Sequence, residues 1–98
     1  MKVEFQEKDR KKVLAAIEGA MGGRKLAEMV NFNLKPGVLE VVISKLGTST
    51  LTFSETESPL GLSYNLSSEK IAFTHRAFKD EVTQKIAKVI EQAGGKVS

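Results

Sequence analysis

The sequence predicts an α+β domain with two layers, in which helices cover one face of an antiparallel sheet. Two observations indicate this class. Apolar residues recur at helical spacing towards both ends of the chain, whereas in the middle they alternate with polar residues and short turn sequences interrupt them. We therefore expect an antiparallel β-meander of four to five strands, flanked by an N-terminal helix and a long C-terminal helix.

Composition and charge limit the class of protein. The chain has 98 residues, of which 41% are hydrophobic and 28% charged, as expected for one small α+β domain spanning residues 1–98. It contains no cysteine, which excludes disulfides, thiolate metal sites and cysteine nucleophiles. The first residues lack the apolar segment of a signal peptide, and no apolar run approaches a membrane span. We expect a cytoplasmic protein without a membrane span.

The first part of the chain predicts a short strand followed by a helix. In "KVEFQE", Val3 and Phe5 share one side and the polar residues share the other. From about residue 8 to Met21 the apolar spacing becomes helical, and Asp9 lies where the helix dipole favours negative charge. The apolar residues of this helix are Val13, Leu14, Ile17, Ala20 and Met21.

The middle of the chain predicts strands joined by tight turns. Residues 30–35 alternate, and "KPG" then places proline and glycine at the centre of a type II turn. Further alternating runs follow, separated by "LG", "TESP" and "SSEK", and Ile71 and Phe73 mark a last strand. Turns this short predict that neighbouring strands in the sequence pair with each other.

The C-terminal segment predicts the longest helix. Its apolar stripe consists of Phe78, Val82, Ile86, Val89, Ile90 and Ala93. Asp80 and Glu81 occupy its first turns, as the helix dipole prefers, and the helix ends at Gly94-Gly95. The order of elements resembles a shortened helix-grip (START-like) domain, in which a curved sheet wraps a C-terminal helix. This resemblance concerns topology and implies no function.

The glycines of "IEGAMGGRKLAEMV" raise the question of a phosphate-binding loop. Both predicted helices end on a double glycine followed by a basic residue, which is typical of a helix terminus with a left-handed residue. A P-loop would follow a strand and would place Ser or Thr after its lysine, but Lys25 is followed by Leu26. We interpret these glycines as helix ends.

Residues that could perform chemistry are few. His75 is the only histidine, with Arg76 beside it, and the sequence shows no partner that would orient it as a base. A structural or surface role for His75 is favoured. Glu55, Glu57 and Glu69 lie among Ser, Thr and Pro, where carboxylates are usually solvated. No catalytic constellation, metal site or cofactor site is predicted, and we expect that the protein is not an enzyme.

Two surfaces could receive a partner. The hydroxyl-rich run "GTSTLTFSETES" is typical of the solvated face of a sheet, yet such a face could also contact another protein. The net charge of +3 permits a polyanion partner, although no sequence-specific nucleic-acid motif is present. The candidate contacts for a polyanion are Arg10, Lys11, Lys12, Arg24 and Lys25.

Three hypotheses of function follow. The favoured one is a non-enzymatic protein-interaction or assembly module, which could associate through a sheet edge or the hydroxyl-rich face. The second is a carrier that holds a small apolar ligand between the sheet and the C-terminal helix. The third is a weak binder of polyanions or nucleic acid. The candidate ligand-lining residues of the carrier are Leu62, Tyr64, Phe73 and Phe78.

Overall fold

The structure, a computed structural model, describes residues 1–23 and 25–98. The described residues form a curled antiparallel sheet with both α-helices packed on one face, which confirms the α+β class. In chain order the elements are β1 (Lys2–Phe5), α1 (Arg10–Met21), a first 3₁₀ helix (Lys25–Glu28), β2 (Val30–Lys35), β3 (Val38–Ser44), β4 (Thr48–Ser58), β5 (Gly61–Lys70), a second 3₁₀ helix (Phe73–Phe78), α2 (Lys79–Gln92) and β6 (Gly95–Val97).

The predicted count of four to five strands is wrong, because the sheet has six strands within the described residues. The strand that the sequence did not predict is β6, which has only three residues and exists because it pairs with β1. The strand predicted around Ile71 and Phe73 is also wrong. There β5 continues through "SSEK" to Lys70, and Phe73 begins the second 3₁₀ helix.

The strand order, β2-β3-β4-β5-β1-β6, brings the two ends of the chain together. The meander β2 to β5 is continuous, and β1 then pairs with β5 on one side and β6 on the other. The amide and carbonyl of Lys2 exchange hydrogen bonds of 2.9 Å with those of Ser98. Gly61 permits the β1–β5 contact, because a Cβ atom there would lie 1.8 Å from the carbonyl oxygen of Phe5.

One apolar core lies between the sheet and the helices. Alternate residues of each strand point inwards and meet the apolar stripes of α1 and α2. None of the helices in the described ranges is long and apolar enough to cross a membrane. The most deeply buried large core residues are Tyr64, Phe53, Ile17, Leu39, Leu62, Ile86 and Ile90.

The double glycines end both α-helices, as predicted. Gly23 and Gly94 adopt positive φ angles of 77° and 97°, the left-handed conformation that follows many helices. Gly95 serves a different purpose, since a Cβ atom there would lie 2.6 Å from Cγ2 of Ile90. At its start, α1 is capped by Asp9, whose side chain accepts a 2.9 Å hydrogen bond from the amide of Lys11.

Candidate functional site

One end of the sheet presents two large apolar side chains to solvent. Leu46, in the turn between β3 and β4, is 85% exposed, and Phe73, at the start of the second 3₁₀ helix, is 83% exposed. We call these two residues, with the neighbouring Lys45 and Arg76, the apolar tip. Single exposed apolar side chains are common in soluble proteins. What distinguishes the tip is how firmly the backbone beneath it is held.

The backbone of Leu46 has an unfavourable conformation. Its φ angle is +53°, and it is the one non-glycine residue of the described ranges with positive φ. In this region the Cβ atom approaches the following carbonyl, which costs about 1–2 kcal/mol for an L-residue. Glycine or asparagine would occupy such a position with less strain. Leucine here is therefore unfavourable for both conformation and solvation.

The turn and the second 3₁₀ helix are fastened to each other. The hydroxyl of Thr74 donates a 2.7 Å hydrogen bond to the carbonyl oxygen of Leu46. Gly47 packs so closely that a Cβ atom would lie 2.9 Å from Oγ1 of Thr74 and 3.2 Å from Cβ of Ala72. The two segments that carry the tip are therefore joined by a hydrogen bond and by close packing.

Ser49 and His75 complete this connection beneath the surface. Ser49 is fully buried and His75 is 2% exposed. Nε2 of His75 lies at hydrogen-bond distance from the carbonyl oxygen of Lys45, and Nδ1 from Oγ of Ser49. Because a carbonyl oxygen only accepts, Nε2 carries a hydrogen, and this arrangement allows Nδ1 to accept from the Ser49 hydroxyl. Oγ of Ser49 also accepts a 2.8 Å hydrogen bond from the amide of Ala72.

A serine bonded to a histidine raises the question of nucleophilic catalysis. The hydroxyl of Ser49 is fully buried, however, and both ring nitrogens of His75 are engaged in the connection described above. The space next to the pair, between the sheet and α2, has a volume of about 10 Å³, close to the minimum for one water molecule. In this conformation the pair holds the backbone and leaves no room for a substrate.

The residues predicted to line a ligand cavity do not surround a common space. Leu62 and Tyr64 are 1% and 0% exposed within the core, whereas Phe73 projects into solvent. Phe78 is half-buried and is the one of the four that borders the small space beside His75. The core around Leu62 and Tyr64 is filled by protein side chains.

The residues predicted to contact a polyanion are not equally available. Arg10 forms a bidentate ion pair with Glu55, in which Nε lies 2.8 Å from Oε2. Lys11, Lys12 and Lys25 are exposed. Arg24 lies outside the described residues. The hydroxyl-rich run lies in β4, where its Thr50 and Thr52 belong to the sheet face opposite the helices.

Sequence reasoning missed the role of Glu55, whose side chain is only 4% exposed. Besides Arg10, it accepts a 3.0 Å hydrogen bond from the Tyr64 hydroxyl and a longer one of 3.4 Å from the amide of Gly37. The ion pair with Arg10 holds the pKa of Glu55 below its usual value. Burial, reinforced by the Glu55 carboxylate, raises the pKa of Tyr64.

The other two carboxylates that the sequence predicted to lie in solvent, Glu57 and Glu69, are exposed.

A signal for Glu55 was present in the alternation of β4. Ser49, Leu51, Phe53 and Glu55 occupy every second position, so that all four share the inward face. The polar composition around Glu55 instead suggested a turn, although the strand continues to Ser58.

The comparisons with known proteins add no family. Protein-family models, curated proteins and solved structures were all searched, and none matches this chain. Among the described residues, no group of three or more His, Cys, Asp or Glu side chains is placed to hold a metal ion. The interpretation of the apolar tip therefore depends on its geometry.

Proposed function

We propose that the protein is a non-enzymatic interaction module that binds a protein partner through the apolar tip. The observation that carries the proposal is that Leu46, whose carbonyl oxygen is hydrogen-bonded to Thr74, is held at positive φ while its side chain remains 85% exposed. Strained residues persist where the surrounding structure imposes them, and they concentrate at functional positions. Exposed apolar groups that are rigid before binding lose little conformational entropy on contact with a partner.

The hydrogen bonds below the tip support this proposal. Ser49, Thr74 and His75 fix the backbone on both sides of the tip, while the side chains of Leu46 and Phe73 stay outside the core. Arg76 lies over the ring of Phe73, with its guanidinium carbon 5.6 Å from the ring centroid. Aromatic and arginine side chains are enriched among the residues that dominate the energy of protein interfaces.

The experiment compares variants of the apolar tip with a control variant at an exposed leucine outside the tip. Leu46→Asn and Phe73→Ser remove the apolar side chains, and asparagine tolerates positive φ. Leu60→Asn is the matched control, because Leu60 is also exposed, at 77%, but lies in the β4–β5 turn at the opposite end of β4. Each protein, tagged and shown by NMR to be folded, would be used to capture partners from lysate of the cells that produce it, with quantification by mass spectrometry.

The expected result is a partner retained by the wild type and by Leu60→Asn but lost from both tip variants. The proposal is overturned if the folded tip variants retain every species that the wild type retains, or if the wild type captures nothing above background. The carrier and polyanion hypotheses stay predictions, and no contact within the described ranges favours either one.

A further inference from the structure

A groove beside the apolar tip indicates the chemistry of the partner, an inference that rests on the proposed function. The groove has a volume of about 370 Å³ and separates the first turns of α2 from the first 3₁₀ helix and the end of β3. This volume lies at the lower end of the range for binding clefts. Several side chains of a partner, but no large domain, would fit within it.

The groove combines an apolar floor with a basic rim. Leu26, Met29 and Val82 supply aliphatic side chains to the floor. Lys25 and Lys45 lie on the rim, and neither makes an ion pair within the described part of the chain.

The remaining charges of the rim nearly cancel. Lys85 also borders the groove, but its Nζ lies 3.3 Å from Oε1 of Glu81, which borders the groove too. The unpaired positive charge of the rim therefore comes from Lys25 and Lys45. A partner that brings carboxylates to this side would complement these two lysines.

The groove and the apolar tip form one continuous surface. Lys45 belongs to both, and its carbonyl is bonded to His75. The ring of Phe78, which lines the groove, lies 5.5 Å from the ring of His75. His75, which is hydrogen-bonded beneath the tip, therefore also lies against Phe78 in one wall of the groove.

We propose that this surface binds an acidic amphipathic segment of a partner protein. Apolar side chains of the segment pack on Leu26, Met29 and Val82, its carboxylates face Lys25 and Lys45, and it extends onto the tip. Apolar side chains of a peptide pack on aliphatic groups, whereas nucleic-acid bases stack on aromatic rings, of which the described lining of the groove supplies Phe78 alone. Two unpaired lysines next to the carboxylate of Glu81 also form a weak site for a phosphate backbone.

The test is an NMR titration of the ¹⁵N-labelled protein. The probe is a synthetic helical peptide with Leu and Phe on one face and Glu on the other. The expected result is saturable shift changes at the amides of Leu26, Met29, Lys45 and Val82. Lys25→Glu and Lys45→Glu should each weaken the affinity by about tenfold, equivalent to about 1.4 kcal/mol. Lys11→Glu and Lys12→Glu, exposed on α1, change net charge equally and should leave the affinity within about twofold of wild type.

Three results would overturn the inference. The first is no shift change in the groove at millimolar peptide. The second is an equal loss of affinity in the groove variants and the α1 controls. The third is tighter binding, with the same dependence on Lys45, of a single-stranded oligonucleotide or of vesicles containing anionic lipid. If the tip variants lose their cellular partner while the acidic peptide does not bind, this inference fails and the proposed function stands.

Discussion

The two ends of the inward face of β4 carry buried polar groups with different consequences. Ser49 lies at one end and Glu55 towards the other, with Leu51 and Phe53 between them in the core. Glu55 is a carboxylate that requires a cation, and Arg10 supplies it. Ser49 belongs to a network in which it contacts both Nδ1 of His75 and the amide of Ala72, while Nε2 of His75 contacts the carbonyl oxygen of Lys45. The strand therefore carries an ionic cluster towards one end and a cluster without a carboxylate at the other.

The difference lies in what each cluster connects. Glu55 joins the start of α1 and the turn after β2 to the hydroxyl of Tyr64, whose ring is buried in the core. Ser49 and His75 join two surface segments whose side chains, Leu46 and Phe73, remain in solvent. We infer that the first cluster serves stability alone, whereas the second also determines which surface the protein presents.

The largest expected effect comes from Glu55→Ala. Removing the carboxylate leaves the buried Tyr64 hydroxyl without its acceptor and Arg10 without its partner. Breaking a fully buried ion pair typically costs about 3–5 kcal/mol, whereas this pair is only partly buried. We expect about 3 kcal/mol, because Arg10 is 38% exposed and regains contact with water. Urea unfolding measures the loss, with the exposed Glu57→Ala as control. A loss below about 1 kcal/mol would show that the ionic cluster does not stabilise the fold.

Ser49→Ala should cost less but should loosen the tip. It leaves the amide of Ala72 and Nδ1 of His75 unpaired, at a cost of about 2 kcal/mol. Amide exchange at Ala72 and His75 should accelerate more than global unfolding explains, which is not expected for Glu55→Ala. Ser54→Ala, exposed on the same strand, is the control. Uniform acceleration across the whole domain would contradict the separation of the two clusters.

Acid should weaken the ionic cluster. Because the pKa of folded Glu55 lies below its ordinary value of 4.5, its contribution is complete above that pH. The contribution is lost as the pH falls through the lower pKa of the folded state. Unfolding free energies measured below neutral pH should therefore decline more for the wild type than for Glu55→Gln, which lacks this titration. Parallel pH profiles of the two proteins would contradict the assignment.

The smallest effect should have the opposite sign. Leu46→Asn relieves the positive φ angle at an exposed site, so we expect a gain in unfolding free energy of about 0.5–1 kcal/mol. Leu60→Asn, where φ is not positive, should change stability by less than about 0.5 kcal/mol. A stabilised Leu46 variant that fails to bind the partner would support a role of the tip in function. A destabilised one would show that Leu46 supports the fold.

Local patterns predicted the helices and most of the strands because their signals are short-range. The acidic Asp9 at the start of α1, the alternation of residues 30–35 and the apolar stripe of α2 are each signals that lie within a few helical turns or strand positions. The prediction was wrong where a distant contact decides the local conformation. Phe73 begins a 3₁₀ helix and not a strand, and the ring of His75 in that helix is hydrogen-bonded to Lys45 and Ser49, which are remote in sequence.

The sequence by itself determined the fold class, the glycine ends of the two α-helices and the inward apolar residues of most strands, because side-chain spacing and glycine conformation act locally. Only the tertiary structure decided that β6 pairs with β1, that Glu55 is buried beside Arg10, and that the segments carrying Leu46 and Phe73 are hydrogen-bonded to each other. Each of these contacts joins groups that are distant in the sequence and that folding brings together. The sequence shows that a charged or hydroxyl side chain is present, but only the folded structure shows which group it pairs with.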